Sequence, residues 1–224
     1  MPAKLHILVL SPHRGDAAKS LAQTISTWLE SGHKVTILNI FTRSLEAPFS
    51  DADSVHENDR LAYVSAMRRR EDEAFHRQIP QATLLDLNIK DGPLRLHIDP
   101  TLVDEIPIDP TDGAFPKIHK ALTKHITPNT ALVLPLALTH HIDHRVVREA
   151  AQPFAATLPH ALYEDGPNST PQPNLTSITT QPNHLWKRKL LLAYASQLET
   201  DEATTLAEAP ERLWATDSFI VLTA

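Results

Sequence analysis

The 224-residue chain has no cysteine, which excludes disulfides, thiolate metal sites, iron–sulfur clusters and cysteine nucleophiles. Any metal centre must be built from histidine and carboxylate. Glycine is scarce, with five residues in the whole chain where an average composition has roughly 7%. No G-x-G-x-x-G or G-x-x-x-x-G-K-[ST] occurs, which argues against a dinucleotide or P-loop phosphate cradle. A G-x-S-x-G elbow is also missing, so a serine hydrolase has little support. Basic residues are outnumbered: 21 Lys and Arg against 27 Asp and Glu give a formal net charge of −6, leaving no surplus to drive binding to a phosphate backbone. Nucleic acid is not an expected partner. Long apolar runs are lacking too. Ile7 to Leu10 is too short for the apolar region of a signal peptide, and Ala131 to Leu138, broken by Pro135, falls far below the ~20 residues of a membrane span. The expectation is a cytoplasmic protein with no membrane span.

Eighteen prolines and thirteen histidines stand in surplus. Short β-rich apolar runs alternate with segments of helical period, the pattern of a mostly parallel sheet covered by helices on both faces. Strands are expected at Leu5–Leu10, Lys34–Thr42, Thr83–Ile89, Thr130–Leu138, Ala161–Glu164 and Phe219–Leu222. Helices are expected after Asp16, over Asn58–Gln78, Gly113–His125, from Asp143 to near Pro153, and over His184–Leu198. The Pro-rich stretch Lys90–Asp112 reads as an insertion over one face of the sheet, and Pro167–Pro182 as a polar loop. No repeat or linker divides the chain, so residues 1–224 read as one α/β domain with a Rossmann-like three-layer fold.

Two polar clusters stand at the carboxyl ends of predicted buried strands, where open α/β sheets place their ligands. In the first, His13 and Asp16 flank a tight strand-to-helix turn. In the second, His140-His141-Ile142-Asp143-His144 opens a helix. Imidazole with carboxylate suits zinc. A histidine-rich turn alone is often only a surface feature, but two such clusters in equivalent positions favour a site. On the helix Leu61–Gln78, Glu71 falls within the apolar face with Arg68 beside it, either as a structural pair or as part of that site.

These segments, in this order, resemble the PIG-L/LmbE-like zinc-dependent N-deacetylases. Ser11-Pro12-His13-Arg14-Gly15-Asp16-Ala17 stands against the family's His-Pro-Asp-Asp turn, Val35–Thr42 against its second strand, and Arg68-Arg69-Arg70-Glu71-Asp72 against its Arg-x-x-Glu helix. Leu87–Gly92 matches a strand-end Asp-Gly turn, and His141-Ile142-Asp143-His144 the His-x-Asp-His motif. Tyr163-Glu164-Asp165, Lys187 with Tyr194–Gln197, and Glu211–Trp214 resemble later segments. The resemblance implies a hydrolase that cleaves an N-acetyl amide, with an N-acetylated amino sugar or conjugate as substrate. It implies His13, Asp16 and His144 as ligands of Zn2+ or another divalent metal, His141 assisting the tetrahedral intermediate and leaving amine, and Asp143 orienting His141. Arg68, Asp91 and Asp165 would serve the substrate pocket. The chain departs from the family where its aspartate acts as general base: that position is Gly15, preceded by Arg14 in place of proline. Loss of a positioned base costs about 10²–10⁴ in rate, so the alternative is an impaired or non-catalytic member that binds a sugar or amide.

Overall fold

The structure, a computed structural model, describes residues 4–167 and 169–223. The apolar N-terminal run forms strand β1 (His6–Ser11). Its side chains divide between two layers, with Ile7 and Val9 in one hydrophobic cluster and Leu8 and Leu10 in the other. A strand covered on both faces has no need of polar alternation, which is why this one is apolar throughout. On one side of it lie β2 (Lys34–Arg43) and β3 (Thr83–Lys90), and on the other β4 (Thr130–Pro135) and β5 (His160–Tyr163), all paired in parallel. The sheet is completed by β6 (Thr176–Thr180) and β7 (Glu211–Ala215), giving the order β3-β2-β1-β4-β5-β7-β6 with β7 antiparallel to both neighbours.

Helix α1 (Asp16–Glu30) buries Leu21, Ile25 and Trp28 at the spacing the sequence shows, each large apolar side chain contributing about 1.5–3 kcal/mol. On the same face pack Phe75 of α2 (Glu57–His76), Leu190 and Leu191 of α6 (His184–Leu191), α7 (Thr200–Glu208) and Phe219 of α8 (Asp217–Thr223). The opposite face is covered by α4 (Ala114–His125) and α5 (Ile142–Ala155), with Leu96 of the short α3 (Gly92–Leu96) at its margin. The expected mostly parallel sheet with helices on both faces is therefore the observed architecture.

The C-terminal third departs from expectation. Phe219–Leu222 is not a strand but lies in α8; its single fully buried side chain, Phe219, is compatible with either period over so short a run. The true strand is β7, disguised by Glu211 and Arg212. Within the polar stretch 167–182 lies β6, and the helix expected over 184–198 ends at Leu191. Glu211 is buried because its charge is matched: its carboxylate accepts from Lys187 Nζ at 2.8 Å, from the Thr24 hydroxyl, and from the backbone N–H groups of Gln23 and Thr24 in α1. Removing one partner of such a buried pair costs about 3–5 kcal/mol.

The chain crosses to the left of β1 and to the right of β4, so the order reverses between these two central strands. The crevice beyond their carboxyl ends is the topological switch point at which such sheets bind ligands.

Candidate metal centre and cavity

Strand β1 delivers His13 to this crevice, and the chain turns at Gly15 into α1. Gly15 has φ +97°, a conformation that side-chain-bearing residues rarely adopt. The turn closes on itself: Asp16 Oδ2 accepts the His13 N–H at 2.8 Å, and the Ser11 hydroxyl donates to the His13 carbonyl while accepting from the Ala17 N–H.

From β4 the chain passes through two left-handed residues, Ala137 and His140, to His141, whose Nδ1 caps α5 by accepting the Asp143 N–H at 3.1 Å. Asp165, just beyond β5, fixes this second turn. Its carboxylate accepts the N–H groups of Ala137 at 3.0 Å and Leu138 at 2.9 Å and meets His144 Nδ1 at 2.5 Å.

The two turns bring His13 Nδ1 to 3.3 Å and His144 Nε2 to 3.2 Å from Asp16 Oδ2. The opposite ring nitrogens are occupied, His13 Nε2 by Asp143 at 2.9 Å and His144 Nδ1 by Asp165. Ligands placed 2.0–2.2 Å from a tetrahedral zinc ion lie about 3.3 Å apart, and metal-bound histidines pass their second nitrogen to a carboxylate. Both the spacing and the supporting carboxylates therefore fit a divalent ion held by His13, Asp16 and His144.

Electrostatics point the same way. Burial opposes the charged form of His13, but the hydrogen bonds to Asp143 and Asp16 outweigh it and push its pKa up to about 10. His144 behaves alike: burial is outweighed by Asp16 and Asp165, and the pKa rises to about 9. For Asp16, the facing imidazoles overcome burial and hold the carboxyl well below its usual range. The protein thus concentrates negative charge around two imidazoles, and a divalent cation would replace their protons on binding. His141 differs. Burial, followed by the cationic His13, lowers its pKa to about 4, so its ring is neutral at pH 7. Because Nδ1 accepts a backbone N–H, that neutral ring carries its proton on Nε2.

These groups form one end of a cavity of about 800 Å³ whose wall includes Glu46, Arg68, Val103 and Thr139 and which extends past Lys19, Lys187 and Leu206. The volume suits a substrate of drug size or larger.

The other expected residues divide, Arg68 and Asp165 bordering the cavity and Asp91 and Asp143 lying off its wall. The Asp143 carboxylate does not orient His141; it takes His13 Nε2, the Gly92 N–H at 2.8 Å and Arg95 Nη1 at 2.9 Å. Gly92 permits this approach, since a Cβ there would stand 2.6 Å from the Ile142 side chain. Asp91 lies off the cavity wall and caps α3 through the Leu94 N–H. Asp165 borders the cavity, but its oxygens are engaged by the turn and His144. Arg68 is on the wall and does not pair with Glu71. Its Nη2 donates to the Arg14 carbonyl and to Gln197 Oε1, and Gln197 Nε2 in turn donates to Glu71. Arg14 points away from the cavity, donating to the carbonyls of Thr42 and Ser65 and pairing with Asp86 at 2.7 Å. Asp86 and Asp72 both accept from Asn39, and Tyr194 donates to Asp72, completing a network behind the turn in which Asn39, Asp72 and Tyr194 are buried.

Arg95 was not anticipated, and Tyr194 and Gln197 were picked out only as part of a family-like segment, with no role. Arg95, lying between Phe41 and the carboxylates of Asp112 and Asp143, is the residue of the Pro-rich insertion whose side chain braces Asp143. A basic residue one turn after Asp91-Gly92-Pro93 was the available sign.

Residues 8–155 match the family described as PIG-L, GlcNAc-PI de-N-acetylase. The chain belongs to the PIG-L family. Family membership places it among hydrolases that act on amide bonds. A search of curated protein sequences gives no match. Among solved structures, a teicoplanin-biosynthesis deacetylase in complex with teicoplanin is 18% identical, with a TM-score of 0.67 over 95% of this chain and 99% of that one. The N,N'-diacetylchitobiose deacetylase of Pyrococcus horikoshii is 17% identical, with a TM-score of 0.63 over 96% and 85%. The 4-carboxy-2-hydroxymuconate hydratase of Pseudomonas putida is 14% identical, with a TM-score of 0.57 over 92% and 83%. At such identities the likeness establishes a shared fold, and the hydratase shows that this fold also carries water addition without amide cleavage. No helix among the described residues is long and apolar enough to cross a membrane.

Proposed function

We propose that this PIG-L family member is a metal-dependent deacetylase that removes the acetyl group from an N-acetylated amino sugar or a conjugate of one. The observation that carries this reading is the convergence of His13 Nδ1, Asp16 Oδ2 and His144 Nε2 at the spacing of zinc ligands, at one end of a substrate-sized cavity. Three protein ligands leave a position open, as catalytic sites require. When bound, the metal polarises the amide carbonyl and lowers the pKa of water.

The chain's own residues do the rest. Asp143 and Asp165 hold the two imidazoles in register. His141, neutral and protonated on Nε2, donates a hydrogen bond where negative charge develops on the carbonyl oxygen. Arg68 presents a fixed cationic wall.

The protein loaded with one equivalent of zinc is expected to release acetate and free amine from N-acetylglucosamine derivatives. A fully metallated protein that releases no acetate from a panel of N-acetylated sugars and conjugates would overturn the reading. Gly15 favours one competing reading, a protein that binds such ligands without cleaving them. Saturable binding without acetate release would establish it.

A further inference from the structure

The position before Asp16 holds no carboxylate, and the surrounding structure leaves little room for one. A Cβ on Gly15 would stand 3.2 Å from the Tyr194 ring and 3.3 Å from Gln197 Oε1, on a backbone of φ +97°. His141 cannot take the part of base either, because Nδ1 accepts a backbone N–H and Nε2 already bears the proton. If the site hydrolyses amides, another carboxylate on the cavity wall must receive the proton of water.

Most carboxylates there are engaged. Asp16 faces both imidazoles, Asp165 takes two backbone N–H groups and His144, Glu164 is held by Ser169, Arg212 and Trp214, and Glu211 is tied to Lys187 and α1. Glu46 is not so bound. It lies past the carboxyl end of β2, its N–H fixed by the Ser44 hydroxyl and its carbonyl by Arg68 Nη1. Its carboxylate is exposed to the cavity, with Arg68 Nη1 at 4.0 Å as its ion-pair partner. Arg68 in turn donates to the Arg14 carbonyl and to Gln197 Oε1, the atom 3.3 Å from a Cβ on Gly15, so Glu46 stands one guanidinium away from the position of the missing base. Asp104 and Glu202, the remaining wall carboxylates, have no hydrogen bond or ion pair that ties them to the β1 turn among the described residues.

We propose that Glu46 is the general base of this site, delivered from the β2 loop in place of the missing residue in the β1 turn. The inference rests on the deacetylase reading above. As the water oxygen bonds to the amide carbon, one water proton passes to Glu46. The C–N bond breaks, and that proton leaves on the amine nitrogen, so Glu46 is again a carboxylate and no co-reactant is consumed. Arg68, itself held by Gln197 and the Arg14 carbonyl, is the cation beside the Glu46 carboxylate.

The test compares wild type, Glu46→Gln and Glu46→Ala, each zinc-loaded, on an N-acetylglucosamine derivative that the wild type cleaves. Glu46→Gln is expected to lower kcat by about 10²–10⁴, with zinc stoichiometry and the calorimetric Kd for uncleaved substrate within about threefold of wild type, since the amide replaces an exposed group of the same shape. Added formate is expected to restore part of the activity of Glu46→Ala, which a merely structural role would not produce. A wild type that turns over while Glu46→Gln keeps kcat within about threefold overturns the inference and leaves the deacetylase reading intact. A kcat loss that formate does not relieve and that accompanies zinc loss or weakened binding also overturns it. A metallated wild type that cleaves nothing overturns the deacetylase reading, and this inference with it.

Discussion

The two strand-to-helix turns of the centre occupy equivalent places at the ends of β1 and β4, yet they are stabilised in opposite ways. The first obtains its left-handed residue from Gly15 and ties itself together locally, through Ser11 and Asp16. The second forces Ala137 and His140 to positive φ and relies on Asp165, more than twenty residues away, to hold it. A non-glycine residue in such a conformation costs on the order of 1–3 kcal/mol. The second turn is therefore strained and externally braced, whereas the first is relaxed and self-contained. The strained turn carries His141 and His144, while the relaxed one carries glycine at the position before Asp16.

The sharpest way to break the comparison is to remove a donor from each turn. Asp16→Asn and His144→Ala are each expected to lower acetate release by more than about 10³-fold, several kcal/mol of lost metal assistance, with bound zinc falling in parallel by atomic absorption. Next comes the brace. Asp165→Asn keeps the shape of the side chain but weakens the acceptor facing His144 Nδ1, and is expected to reduce zinc affinity about 10–100-fold, read by competition with a chelator. If affinity were unchanged, the second turn would not depend on its distant carboxylate.

Gly15→Asp probes the relaxed turn. The added side chain meets Tyr194 and Gln197 on an unfavourable backbone, so the variant is expected to lose about 1–3 kcal/mol in urea unfolding and to gain no activity. A large rise in kcat would show that the position still accepts a working base.

The smallest effect lies behind this turn. Burial is the leading cause that raises Asp72 to about 6, against the stabilising hydrogen bonds from Tyr194 and Asn39. A carboxyl whose pKa is higher folded than unfolded binds more protons in the native state, so stability falls as pH rises from about 4 to about 6. Two units amount to at most about 3 kcal/mol. Asp72→Asn removes this dependence, and its stability relative to wild type is expected to shift in its favour between pH 4 and pH 7 in urea titrations.

The sheet's centre was readable because β1, β2 and β4 are buried on both faces and their apolar runs are local facts of the chain. The polar clusters His13/Asp16 and His141/His144 were readable as clusters for the same reason, each lying within four residues of chain. Contacts made at a distance were not. That Asp143 turns to His13, that Arg14 turns away from the cavity toward Asp86, and that Gln197 stands between Arg68 and Glu71 depend on which elements meet in space, which no local period encodes. The strands of the antiparallel end failed for a related reason: β7 begins with a charged residue whose partners, Lys187 and the backbone of α1, come from other elements.

That last attachment bears on where the chain can be cut. The family match ends at residue 155, but Asp165, Tyr194, Gln197 and Glu211 lie beyond it and clasp, respectively, the β4 turn, the Asp72 network, Arg68 and the middle of α1. A fragment trimmed to the matched segment would retain all three metal-type donors and lose the clamps that hold them in register. The smallest unit that keeps these turns in register is accordingly set by the clamps, with β7 the furthest of them along the chain.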